Sequence, residues 1–342
     1  MRAIVYGRTG DSSVLELSER EIAEPGPGEL RVRVVVSGVN PTDWKSRRGS
    51  GSGTNAGAPS VPNQDGAGVV DAVGPGVTGF AVGDRVWLGI SGWKRPASGT
   101  AQEYTITLAE RTFPLPDEVS FDVGASLGVP AVTAYRALTV SEDGPDRLHP
   151  GALQGTTVLV AGGAGAVGHA AIQLARWAGA TVITTVSGDE KAALATAAGA
   201  HHVVRYRDAD AAEQIRAIAP GGVDVVVEVA AGANAELDQA VTHVRSTIAS
   251  YANDGGKPVA IDFGRAIFAN LRYQFVLIYT MGAAAWVAAG EDVTAAARDG
   301  ALAIGDEAGL PVHRYPLDQT AAAHDAVEGG VVGKVLIDVS AE

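Results

Sequence analysis

Cysteine is missing from all 342 residues of the chain. That absence excludes disulfides, thiolate metal sites and cysteine nucleophiles. Long apolar runs are missing too, and none reaches the ~18 residues that a membrane-spanning helix requires. Dense clusters of lysine and arginine do not occur. Acidic residues outnumber basic ones, 39 to 26, for a net charge of −13, so no nucleic-acid partner and no membrane are expected. The first residues, Met1-Arg-Ala-Ile-Val-Tyr6, read directly as a strand without the pattern of a secretion signal. The expectation is a cytoplasmic protein.

Hydrophobic residues make up 46 % of the chain, enough for sizeable cores. At ~150 residues per domain the length predicts two domains. The first third is rich in short strand-like runs bounded by Gly, Pro or Asp, such as 31–36, 68–73 and 84–88, which predicts a mostly antiparallel β domain. Residues 48–60 form a glycine/serine-rich stretch that reads either as a mobile linker or as a lid over an active site. From about Ser120 the pattern alternates. Strands are expected at 157–161, 181–186, 202–205, 223–229, 246–250 and 275–280, with helices at 166–178, 189–199 and 209–219 between them. Such alternation predicts a parallel sheet covered by helices. Two further helices, 282–298 and 318–328, precede a terminal strand at 334–339 that fits pairing back into the first domain.

The most informative stretch is Val158-Leu-Val-Ala-Gly162-Gly-Ala-Gly165-Ala-Val-Gly168. It reads as strand, glycine turn and helix start, the arrangement that holds a dinucleotide pyrophosphate on free backbone N–H groups and a helix dipole. Gly162, Ala164, Gly165, Ala166, Val167 and Gly168 are the candidate contacts. An NAD enzyme places an acid at the end of the next strand, ~20 residues past the glycines. Here that strand ends in Ser187-Gly188. Asp189 and Glu190 follow, and Ser187 to Glu190 fits a helix capping box, which leaves those acids as helix-start charges. Among the seven histidines only His201-His202 are adjacent, and a strand points them to opposite faces. No metal set is expected.

The chain resembles the zinc-free quinone reductase branch of the medium-chain dehydrogenase/reductase superfamily, the zeta-crystallin-like NADPH:quinone oxidoreductases, along essentially its whole length. The resemblance is carried by Gly38-Val-Asn-Pro-Thr-Asp43, Asp65-Gly-Ala-Gly-Val-Val70, Val82-Gly-Asp-Arg-Val86, Gly128-Val-Pro-Ala-Val-Thr133 and the glycine turn. Val223-Asp-Val-Val-Val-Glu228 and Gly333-Lys-Val-Leu336 follow in the same order. It implies a GroES-like substrate domain over 1–125, completed by 281–342, and a Rossmann domain over 126–280, with nicotinamide and substrate in the cleft between. Zinc-dependent relatives use a Cys, a Gly-His-Glu motif and a distal Cys. Here Asn40 and Asn63-Gln64-Asp65 stand at the first two places.

The resemblance further implies NADPH as cofactor, with its 2′-phosphate at Ser187, Lys191 and Tyr206 and with Gly188 also among the cofactor contacts. It places Ser250 and Tyr251 beside the ribose, the backbone of Phe275, Val276 and Leu277 at the carboxamide, and Lys334 among the cofactor contacts. Asn40, Asp43, Asp65 and Thr133 come near the nicotinamide, with Asn40 donating to a substrate oxygen that gains charge. Local readings stay open beside these: Asp43 as a turn residue after proline, Thr133 as a hydroxyl satisfied within its helix, Lys45 as an oxyanion stabiliser or a solvated lysine. The tyrosines that relatives carry after Asn-Pro are absent, and Lys45 and the 48–60 stretch stand there. The implied function is NADPH-dependent, metal-free reduction of quinones or of the C=C bond of α,β-unsaturated ketones. The alternatives are an enoyl reductase tailoring a polyketide or other natural product, and a non-catalytic NADPH- or RNA-binding protein. A homodimer or homotetramer built through 275–279 is expected.

Overall fold

The computed structural model describes residues 1–50, 59–208 and 210–341. Most of the glycine/serine stretch at 48–60 lies outside the described residues. Strands Arg2–Val5 (β1) and Glu16–Glu19 (β2) pair antiparallel. In Glu29–Val39 (β3) Leu30, Val32 and Val34 are buried while Arg31 and Arg33 alternate outward, and from Val34 onward every residue is buried. That change from one-sided to two-sided burial lets β3 serve as the centre of a sheet. The helix Pro41–Arg47 (α1) starts at the proline after Asn40, where a missing N–H costs nothing. Then come Asp65–Val73 (β4), Arg85–Leu88 (β5), Tyr104–Leu108 (β6), Thr112–Pro114 (β7) and the helix Phe121–Ser126 (α2). β4 pairs antiparallel with β3 on one side and β5 on the other, and β6 pairs with the outer half of β3.

The chain then alternates as the apolar runs demand. After the helix Val132–Leu138 (α3) come strands Thr157–Ala161 (β8), Thr181–Val186 (β9), His202–Arg205 (β10), Val223–Glu228 (β11), Thr242–Ser250 (β12) and Arg272–Phe275 (β13). They form one six-stranded parallel sheet in the order β10-β9-β8-β11-β12-β13. Helices Ala166–Trp177 (α4), Asp189–Ala197 (α5), Ala211–Ile218 (α6), Ala231–Val241 (α7), Phe263–Phe268 (α8) and Ala283–Arg298 (α9) accompany them. Leu159, Ile183, Val204, Ile215, Val226 and Ile248 pack together as a core. The reading of a strand over 275–280 is corrected: the strand ends at Phe275, and Ile278–Thr280 is a helical turn. The physical reason lies in its neighbour. β12 ends at Ser250, opposite Phe275, and after the Val276 N–H has donated to Ser250 O (2.8 Å) no ladder remains to follow.

Strand Val312–Pro316 (β14), helix Thr320–Glu328 (α10) and strand Lys334–Asp338 (β15) return to the first sheet, which runs β14-β15-β3-β4-β5-β7. The terminal strand lies antiparallel to β3, and Val34, Val39, Val335, Ile337, Leu317 and Ile4 form a core beneath it. The chain divides into two units: Met1–Val129 with Val312–Glu342, and Pro130–Pro311. The sequence reading puts these boundaries at 125/126 and 280/281. The mixed, mostly antiparallel sheet of the first unit and the helix-covered parallel sheet of the second are the GroES-like and Rossmann architectures expected.

Candidate active site

In the second unit, the chain leaves β8 and turns at Gly162, whose φ of +71° is the left-handed region glycine adopts without strain. The Gly165 N–H donates to Gly162 O (3.0 Å), and the His169 N–H returns to Gly165 O (2.7 Å) as the first bond of α4. A Cβ at Gly168 would stand 2.4 Å from Gly162 O, so only glycine lets the helix start this close to the strand. The N-cap of this 12-residue helix is Gly165, which caps nothing with a side chain. First-turn N–H groups and the positive dipole end are therefore left for an anion. This geometry fits a dinucleotide pyrophosphate at Gly162, Ala164, Gly165, Ala166, Val167 and Gly168.

The end of β9 decides charge. The capping box read at Ser187–Glu190 does not form: the N-cap of α5 is Gly188, one residue later than expected, and no side chain caps it. Asp189 instead accepts from the Arg205 guanidinium, which also holds Asp208 at 2.7 Å. The acid nearest the strand end is thus already paired. Lys191 is half-buried and Tyr206 exposed. Ser250 is buried, its hydroxyl on Ala252 O (3.1 Å), and the Tyr251 N–H donates to Glu228 O (3.0 Å). Phe275 and Leu277 are exposed, whereas Val276 between them is buried. Thr133 is buried on α3. Sequence reasoning missed the buried Glu228, which ends β11 and accepts from the Ala230 N–H ahead of α7 and from the Asn234 amide (3.0 Å) in its first turn.

In the first unit, four buried polar side chains converge. Asn40 is 2 % exposed, Asp43 3 %, Asp65 0 % and Lys334 1 %. The registers explain the meeting. Gly38 lies opposite Asp65 on β4 and opposite Leu336 on β15, so Asn40, just past the end of β3, comes level with Lys334. The Asn40 Nδ2 donates to Asp65 Oδ2 (2.7 Å), and the Lys334 ammonium donates to Asn40 Oδ1 (2.8 Å). Asp43, the third residue of α1, reaches back with Oδ2 to the Asn40 N–H (2.7 Å). Between α2 and α3 the helix widens into a π-turn at Leu127–Ala131, and the Val129 N–H there donates to Asp65 Oδ2 (2.8 Å). Gly128 is required for this approach, because a Cβ would stand 2.1 Å from Asp65 Oδ1.

Burial sets the electrostatics. It pushes Asp65 up to about 6, with the Lys334 charge and the Val129 and Asn40 hydrogen bonds pulling the other way. Asp43 rises to about 8, again chiefly by burial, with the Asp65 charge adding to it and the Asn40 N–H and Lys334 opposing. Lys334 is lowered by burial against the pull of both carboxyls. Lys334, expected at the cofactor, thus carries its ammonium into this cluster. Lys45 does not join it, its ammonium lying over the Trp44 ring at 5.6 Å.

Two family descriptions match the chain: "Alcohol dehydrogenase GroES-like domain" over 26–117 and "Zinc-binding dehydrogenase" over 166–294. The quinone oxidoreductase of Rattus norvegicus is 32 % identical, covering 98 % of this chain and 97 % of its own. The 2-haloacrylate reductase of a Burkholderia species is 36 % identical, covering 67 % and 66 %. The solved structure of the Escherichia coli quinone oxidoreductase complexed with NADPH superposes with a TM-score of 0.80 at 25 % identity, covering 99 % and 100 %. Zinc, which the second family description implies, does not fit the residues present. The chain has no cysteine, the buried cation beside Asn40 is a lysine, and among the described residues no group of three or more His, Asp or Glu is placed to hold a metal ion.

Proposed function

The chain belongs to the medium-chain dehydrogenase/reductase superfamily, in the quinone oxidoreductase type, and it is an oxidoreductase; on that premise we propose that it reduces quinones or the C=C bond of α,β-unsaturated ketones with NADPH. The observation that carries the cofactor choice is the end of β9: Ser187-Gly188 offers no acid to a ribose hydroxyl, and Asp189 is held by Arg205. Gly162 to Gly168 would hold the pyrophosphate, Lys191 and Tyr206 the 2′-phosphate, Ser250 and Tyr251 the ribose, and the backbone of Phe275–Leu277 the carboxamide. A bound nicotinamide supplies the hydride. Of the two Asn40 Nδ2 hydrogens one is spent on Asp65, and we assign the second to the substrate oxygen that gains charge. Asp43 and Asp65 hold Asn40 in place, and Thr133 is assigned to the nicotinamide side.

The name of the haloacrylate-reducing relative favours an activated C=C bond as a second substrate class beside quinones. The test is NADPH consumption, followed by absorbance, with 9,10-phenanthrenequinone, benzoquinone and a series of enones. Turnover with at least one of them is expected, and none with any would overturn the reading. We further propose a homodimer formed along β13. That strand is the edge of its sheet, and Phe263, Ile267, Phe268, Phe275 and Leu277 stand exposed on or near it, Phe268 at 90 %. Exposed apolar rows beside an open edge suit a second copy of the same edge.

A further inference from the structure

We infer that Lys334 is a positioning residue: its ammonium fixes which way the Asn40 carboxamide faces. An asparagine amide has an accepting end and a donating end, and its neighbours decide between them. An ammonium only donates, and the Lys334 Nζ sits 2.8 Å from Oδ1. A carboxylate only accepts, and Asp65 Oδ2 sits 2.7 Å from Nδ2. Among the described residues Lys334 makes no direct ion pair with Asp65 or Asp43. The amide lies between the two charges as a bridge, with its dipole aligned to both.

The fold holds the lysine in this place. Lys334 is the first residue of β15, one step beyond the pairing of Val335 with Val39, and its Nζ also reaches Val39 O at 3.3 Å. Gly38 leaves the room: a Cβ there would stand 3.2 Å from the ammonium and 2.1 Å from Ala125 O. Without the ammonium Oδ1 loses its charged donor. Asp65 also loses its compensating charge, and once protonated it becomes a donor to which the amide offers its other end. The second Nδ2 hydrogen then leaves the direction assigned to substrate. This inference rests on the proposed role of Asn40 in turnover, but the amide orientation is measurable by itself.

The experiment uses full-length protein labelled with ¹⁵N-asparagine, the Asn40 side-chain amide being assigned by its loss in Asn40→Ala. Lys334→Met is expected to move that amide pair and to lower kcat about tenfold or more, while NADPH affinity by fluorescence is unchanged. In the Asn40→Ala background the same change is expected to leave kcat where it was. Asp65, followed by carbon NMR titration, is expected to titrate higher in Lys334→Met than in wild type. If Lys334→Met does not fold, Lys334→Met/Asp65→Asn, which removes both charges, carries the comparison against Asp65→Asn alone. An Asn40 amide pair and Asp65 titration indifferent to the loss of Lys334 would overturn the inference. So would an equal loss of kcat with and without Asn40. A protein that turns over no quinone or enone overturns the proposed function, and the amide measurement then decides alone.

Discussion

Replacing Asp43 by asparagine should make the protein progressively more stable than wild type as pH rises. Asp43 is buried and its carboxyl titrates at about 8, against 3.8 for the free side chain. Between those values the folded state holds a proton that the unfolded state has released. Stability therefore falls with rising pH throughout that window, by about 1.4 kcal/mol per pH unit, until the folded group ionises. From pH 6 to pH 9 the unfolded carboxylate stays ionised while the folded one crosses its midpoint. The integrated loss is about 2 to 3 kcal/mol. Asparagine keeps an oxygen for the Asn40 N–H and has no proton to lose, so the loss vanishes in Asp43→Asn. Other titrating groups are common to both proteins and cancel in the difference, provided their surroundings are kept. Denaturant unfolding at pH 6, 7.5 and 9, followed by tryptophan fluorescence, gives that difference directly. A wild-type-to-variant difference that stays flat across the three pH values, or that grows in favour of wild type, would refute the buried-acid reasoning.

Lys191→Ala should weaken NADPH binding by about 1–2 kcal/mol, one charge-assisted hydrogen bond, and leave NADH nearly untouched; equal loss for both cofactors by fluorescence titration removes Lys191 from the 2′-phosphate. Dialysis against EDTA should leave turnover at its starting value, and elemental analysis of the purified protein should find no stoichiometric zinc; activity lost on chelation and restored by zinc contradicts this. Light scattering at micromolar concentration should give twice the chain mass, and Phe268→Asp, which puts a charge on the exposed apolar row, should halve it; a monomeric wild type ends the edge-pairing proposal.

The parts of this molecule legible in the sequence are those whose cause is local. The glycine turn is one, since a positive φ at Gly162 and a close approach at Gly168 are demands that only glycine meets. The alternation of apolar runs with helical stretches is another, and it placed β8 to β11 within a residue or two. What failed depended on neighbours. Phe275–Tyr279 is an apolar run of strand character, yet the ladder stops at Phe275 because β12 ends opposite it. Ser187 to Glu190 has the letters of a capping box, but the N-cap of α5 is Gly188, no side chain caps it, and Arg205 takes Asp189. The resemblance named Lys334 as a cofactor contact, but its pairing with Asn40 was not legible, because the partner lies 294 residues away and the meeting is set by a strand register. The one available signal was a lysine opening the otherwise apolar run Lys334-Val-Leu-Ile. A charge leading into a buried strand asks for a partner inside.

Charge counting in the first unit ties these observations together. Two carboxyls and one ammonium are taken out of water in one place, and no arrangement of three fixed charges there is neutral. Asp65 receives the ammonium through the Asn40 amide and the Val129 N–H besides, so it is the better carboxylate. Asp43 has the Asn40 N–H and only a small pull from the Lys334 charge, and burial keeps its proton on up to about 8. Around neutral pH the cluster thus settles as one carboxylate, one ammonium and one neutral acid, which is the neutral combination a buried site tolerates. In a chain without cysteine, this balance is what allows an asparagine, itself uncharged, to be held in one orientation by charges on both sides. Removing any one charge should therefore disturb Asn40 more than removing the Lys334–Asp65 pair together.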